Sequence, residues 1–157
     1  MTDSHAEARQ YALKLLSYRS RSEKELRDRL KKKGIQEAVI SSTIEHLRNL
    51  GLVNDVLLAE ILMNDAINIK LLSQNGARQY VLSRGVPREI TDAAFEKLDN
   101  MDIENARKIV ARKLEALKDY PGKTVKRRLC NFLLRRGYSY ETIAEVLKDK
   151  NFKEEER

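Results

Sequence analysis

The sequence predicts an all-α fold arranged as a row of small helical units. Three observations carry this expectation. Apolar residues recur at i, i+3, i+4, i+7 and i+8 in several long stretches, the stripe of a half-buried helix. No stretch alternates β-branched and polar residues for long enough to argue a strand. With six glycines and two prolines in 157 residues, each break in the pattern carries information.

The first stripe is Ala8, Tyr11, Ala12, Leu15 and Leu16. It ends before RSRSEKEL, residues 19–26, where Ser22 and Glu25 make a capping box. The serine oxygen takes an orphan backbone N–H and the glutamate reaches back. Arg19 and Arg21 stand before this second helix and contribute nothing to its core. Ala59, Leu62, Met63, Ala66 and Ile67 carry another long stripe, nearly repeated by Ile103, Ala106, Val110, Lys113 and Leu117, with Leu114 filling in. Asn54 and Asp55, and later the residues from Asn100 to Asp102, suit the capping of the helices that follow them.

Three glycines recur in one context. RLKKKGIQEAVI holds Leu30, Gly34, Ile35 and Ile40; VLSRGVPREI holds Leu82, Gly85, Val86 and Ile90; LLRRGYSYETI holds Leu133, Gly137, Tyr138 and Ile143. Each reads as a helix with a basic end that suits its negative dipole, a left-handed glycine, and a new helix. The glycines lie 51 and 52 residues apart, the mark of an internal repeat. The expected units are therefore three, at 6–50, 55–100 and 101–150, each of three helices, with a charged tail at 151–157.

Apolar residues make up 41% and charged residues 35%, against roughly 45–50% and 25% in typical domains. That balance suits an elongated molecule with much surface for its core. Net charge is +7, with residues 1–55 at +3, 56–100 at −1 and 101–157 at +5. Two positive ends favour an anionic partner, nucleic acid first. No apolar run reaches a membrane span, no signal peptide is evident, and the single cysteine, Cys130, makes no internal disulfide. This points to a reducing cytoplasm. Two histidines and one cysteine cannot build a metal cluster of usual spacing. Gly122, Lys123 and Thr124 mimic the end of a phosphate-binding loop, but Leu117 stands where its first glycine belongs. The expectation is a non-enzyme without cofactor or metal.

The long first helix, Arg19, Arg21, Ser22, Glu25 and Leu26, then Gly51, Leu52, Val53, Asn54 and Asp55, and finally Arg135, Arg136, Gly137 and Tyr138 together resemble the RecX family. The likeness spans about residues 8 to 148. It departs from the family at Leu58, where phenylalanine is frequent, and at Asn75 and Gly76, where a glycine-rich lead is usual. What the resemblance implies is a curved array of three-helix units lying in the groove of the RecA filament on single-stranded DNA. The array would restrain recombinase, ATPase and coprotease activity, in some members with direct DNA binding.

Candidate contact residues follow from charge. Arg19 to Lys33 holds eight basic and three acidic residues, with Arg19, Arg21, Lys31, Lys32 and Lys33 singled out. Tyr120 to Tyr140 holds six basic residues and no acid: Lys123, Lys126, Arg127, Arg128, Arg135 and Arg136. Val125, Leu129, Phe132 and Leu133 should bury one face, leaving Arg127, Asn131 and Arg135 opposite, where guanidinium groups can pair with phosphate or carboxylate. The plainer reading of both clusters is a solvated, dipole-compensating surface. Tyr138 and Tyr140 could stack on a base, though Tyr138 aligns with Ile35 and Val86 and so belongs to the core. The partners expected are RecA and single-stranded DNA, with double-stranded DNA as a further candidate, no membrane and a monomeric chain. A helix-turn-helix-like DNA binder acting without RecA and a helical-repeat scaffold are the rival functions. An elongated array should show a radius of gyration clearly above about 15 Å, the value for a compact chain of this length. Solution scattering checks it.

Overall fold

The computed structural model describes residues 3–148, 150 and 152, and among them nine helices and no strand. They are α1 (Ser4–Tyr18), α2 (Glu23–Lys32), α3 (Glu37–Asn49), α4 (Asp55–Asn68), α5 (Gln74–Ser83), α6 (Arg88–Glu96), α7 (Asp102–Ala116), α8 (Gly122–Arg135) and α9 (Tyr140–Leu147). None among the described residues is long and apolar enough to cross a membrane.

The chain gathers into two compact units, Met1–Leu62 with Tyr80–Lys97, and Met63–Gln79 with Leu98–Arg157. Helices α4 and α5 each contribute to both. In the first unit α1, α2 and α3 pack together because their apolar stripes meet. Ala8, Ala12 and Leu15 face Leu26 and Leu30 of α2 and Ile40, Ile44 and Leu47 of α3, with Val53 closing the end. Each large aliphatic side chain so buried contributes about 1.5–3 kcal/mol before entropy is counted.

In the second unit Ala106, Ile109 and Val110 of α7 meet Val125, Leu129 and Leu133 of α8 and Ile143, Val146 and Leu147 of α9. Ile103, Leu114 and Leu117, expected within the stripe of α7, lie half-buried at its margin. Asn105 is buried among them, its Nδ2 donating to the Ile67 carbonyl at 3.1 Å. The expected tail, 151–157, lies outside the described residues except for Phe152, which packs half-buried against this core.

Each unit also contains a joint that explains the repeat. In the first, Ser22 Oγ accepts from the Glu25 N–H at 3.1 Å and caps α2. The left-handed turn after α5 closes over that serine: a Cβ on Gly85 (φ +86°) would stand 2.5 Å from Ser22 Oγ. Arg84 donates to the Ser20 carbonyl at 3.1 Å and to Glu25 at 3.2 Å. The Glu23 N–H donates to Asp55 at 3.1 Å. In the second unit Ser73 Oγ accepts from the Gly76 N–H at 2.9 Å, and a Cβ on Gly137 (φ +91°) would meet it at 2.6 Å. Arg136 donates to the Lys70 carbonyl, and the Gln74 N–H donates to Asp102 at 2.8 Å. Thus a serine and a distant aspartate satisfy orphan donors at each helix start. Tyr138, 2% exposed, adds a hydrogen bond from its hydroxyl to the carbonyl of Leu71, a non-glycine residue in the left-handed region (φ +52°). Burial, and then the charge of Asp102, push the Tyr138 phenol well above its usual pKa, so it stays a donor.

Two expectations need correction. Glu25 does not turn back to the Ser22 N–H. Its carboxylate is taken by Arg19 at 2.7 Å, Arg84 at 3.2 Å and Arg21 at 3.7 Å. And Arg21 is not an outward residue: it is 8% exposed, and its Nε donates to the Leu15 carbonyl at 3.3 Å, tying off the end of α1. Burial, with Arg19 beside it, lowers its pKa, while Glu25 opposes the shift; a guanidinium keeps its charge regardless.

Arg21→Ala should therefore cost about 1.5–3 kcal/mol, the value of hydrogen bonds to charged groups, at least matching Ser22→Ala at about 0.5–2 kcal/mol. Gly34→Ala should cost about 1–2 kcal/mol for left-handed strain alone, since no described atom beyond the adjoining residues lies within 4 Å of its added Cβ. Gly85→Ala adds the collision with Ser22, a further ~1–3 kcal/mol of overpacking. Urea denaturation of the four variants checks the order.

Candidate partner-contact surface

Helix α8 positions a group of basic side chains that no acidic residue interrupts. Pro121, at φ −57°, leads into it, and its first turn holds no acid. Val125, Leu129 and Leu133 recur every four residues and are buried, which turns the other side of the helix outward. Lys123, Lys126, Arg127, Arg128, Asn131 and Arg135 are all exposed there. None of these five cations forms an ion pair among the described residues. Lys123 stands in the first turn, where the helix dipole disfavours a cation, so folding does not account for it. The Arg128 guanidinium lies over the Tyr120 ring, 4.3 Å from its centre, held by cation–π attraction.

Arg136 behaves differently from its neighbours. Its guanidinium donates to the Lys70 carbonyl and lies 4.5 Å from the centre of the Phe132 ring, with Nε buried and without a hydrogen-bond partner. It is a clamp of the second joint, the counterpart of Arg84, and not an outward contact. Phe132, expected on the buried side, is half-buried because Arg136 and Lys113, the latter at 4.2 Å, both lie against it.

This arrangement lines a cavity of about 280 Å³ beside α7 and α8, with Arg112, Lys113 and Arg136 around a floor of Leu71, Ile109 and Phe132. A second cavity, of about 340 Å³, shares Lys113 and Phe132 and reaches Arg128, Asn131 and Arg135. No acidic residue lines either among the described residues. Arg112 and Lys113 were missed from the sequence, because spacing within α7 says nothing about what α8 brings alongside; Lys113 was read only as part of an apolar stripe.

In the first unit Lys31 and Lys32 are exposed at the end of α2, and Lys33 stands 4.1 Å from the centre of the Tyr11 ring. Arg19 is 44% exposed and bound to Glu25. Tyr138 is a core residue, whereas Tyr140 is 77% exposed.

Comparison with known proteins gives the arrangement a family. Residues 8–47 match the family model for the first three-helix domain of RecX, and residues 100–147 the model for the third. The regulatory protein RecX of Finegoldia magna is 32% identical over 143 residues, 89% of this chain and 70% of the relative. That of Thermotoga petrophila is 37% identical over 139 residues, 87% and 80% of the two chains. The crystal structure of RecX from Lactobacillus salivarius superposes with a TM-score of 0.74 at 23% identity, covering 95% of this chain and 97% of that one. The last is a likeness of fold, and the sequence relatives carry the kinship: the chain belongs to the RecX family of regulatory, non-enzymatic proteins.

Proposed function

We propose that this chain binds RecA and its filament on single-stranded DNA and restrains the filament's recombinase, ATPase and coprotease activity. The single observation that carries the contact surface is the outer side of α8, with five exposed cations and no ion pair among the described residues. Removing those charges leaves Val125, Leu129 and Leu133 in place, which supports a role for them outside the chain. Family membership supports RecA as the partner. Lys123, Lys126, Arg127, Arg128 and Arg135 are the principal contacts, with Arg19, Lys31, Lys32 and Lys33 as a second basic patch. The three-unit division at 6–50, 55–100 and 101–150, a monomeric state and a cytoplasmic location belong to the same reading.

Direct DNA binding is a second reading, favoured by the cavities beside α7 and α8, whose cations surround an aromatic ring as phosphate-tracking grooves do. The two readings part in one experiment on the triple variant Arg127→Ala, Arg128→Ala and Arg135→Ala. Its melting temperature should match the parent within a few degrees, since all three side chains are exposed. Contact with acidic groups of RecA predicts lost inhibition of strand exchange with DNA affinity kept. Contact with phosphates predicts parallel loss, and a log–log salt slope smaller by about 0.7–0.9 per contact removed. A folded triple variant that inhibits as the parent does would remove α8 from the contact surface.

A further inference from the structure

Gly34 repeats the acceptor half of the joints, with no helix of the described residues seated on it. Its turn has the same backbone as the other two: φ is +90° at Gly34, +86° at Gly85 and +91° at Gly137. The Gly34 N–H donates to the carbonyl three residues back at 3.0 Å, as those of Gly85 and Gly137 do. The surroundings differ. The serine of a capped helix stands against Gly85 and against Gly137, but no described atom beyond the adjoining residues lies within 4 Å of a Cβ on Gly34. The residue after each glycine records the same difference, Val86 being 3% and Tyr138 2% exposed while Ile35 stays half-buried. Arg84 and Arg136, just before their glycines, hold carbonyls of the seated segment. At the Gly34 turn the corresponding residue is Lys33, flanked by the exposed Lys31 and Lys32.

We propose that the Gly34 turn is a protein-docking site that receives the N-terminus of a helix from the RecA filament. The chemistry of the occupant follows from the first joint: a serine or threonine cap whose oxygen lies against the glycine, and an acidic residue in the first turn. In that joint Glu25 answers Arg84, and at the Gly34 turn three lysines supply the positive charge. The naming of RecA rests on the proposed function; the shape of the site rests on the two joints alone. It is separate from the basic side of α8, since it reads a helix end and not a run of charge.

The test is Gly34→Asn, because asparagine accepts left-handed backbone while its side chain covers the surface on which the cap would sit. Gly51→Asn is the control: Gly51 also has positive φ (+74°) and open surroundings, but its turn, after α3, lies outside the repeat of Gly34, Gly85 and Gly137. Cosedimentation with RecA filaments on single-stranded DNA should show binding at least tenfold weaker for Gly34→Asn. Affinity for DNA alone and the behaviour of Gly51→Asn should match the parent. If Gly34→Asn melts earlier than Gly51→Asn, Lys33→Glu decides in its place, with a severalfold loss expected. A folded Gly34→Asn that binds filaments like the parent overturns the site and leaves the proposed function standing. A parent that does not bind filaments overturns the proposed function and this inference with it. A parent that self-associates in sedimentation velocity, with Gly34→Asn monomeric, places a second copy at the turn and overturns the filament assignment.

Discussion

Ser22 Oγ lies 2.5 Å from the place a Cβ would take at Gly85, and Ser73 stands in the same relation to Gly137. A helix start and a helix end thus meet closer than any residue with a side chain allows. Three requirements coincide there. The glycine must turn left-handed to stop its helix, must lack a Cβ to admit the serine, and the serine must keep its oxygen turned inward to cap its own helix. An aspartate from a later helix then takes a further N–H, Asp55 in one unit and Asp102 in the other. Because so few atoms do so much, substitutions at these positions cannot be compensated locally.

The arginines divide along the same line. Arg21, Arg84 and Arg136 are spent on carbonyls and, for the first two, on Glu25, where a planar group with several N–H donors can reach more than one acceptor. Arg127, Arg128 and Arg135 have no such demand on them. In a chain with 35% charged residues, charge alone does not distinguish the two kinds; the distinction is whether a carbonyl lies within reach.

Much of the fold was legible because helices write themselves into spacing. Val125, Leu129 and Leu133 are buried as their four-residue intervals required, and Ser22 caps the helix expected of it. The period of 51–52 residues was visible as well, but not its cause, since a joint between Ser22 and Gly85 has no local signature. Arg21 was misread for that reason. Its acceptor, the Leu15 carbonyl, lies on the preceding helix, and a basic residue before a cap looks exposed until the end of that helix is placed. The outward side of α8 was readable from its own wheel. Arg112 and Lys113 were not, because they come from α7, Lys113 lining both cavities and Arg112 the first.

The joints also set a timetable for the chain as it is made. The α1–α3 bundle is assembled from neighbours and can close early. The bond from Arg84 to the Ser20 carbonyl spans 64 residues, and closing long loops is slow and entropically costly. At about 5–20 residues per second, the N-terminus of α2 waits roughly 3–13 s for its glycine to be synthesised. Until Asp55 is made and takes the Glu23 N–H, Ser22 caps α2 unaided, and until Arg84 follows, Glu25 is held only by the arginines beside it.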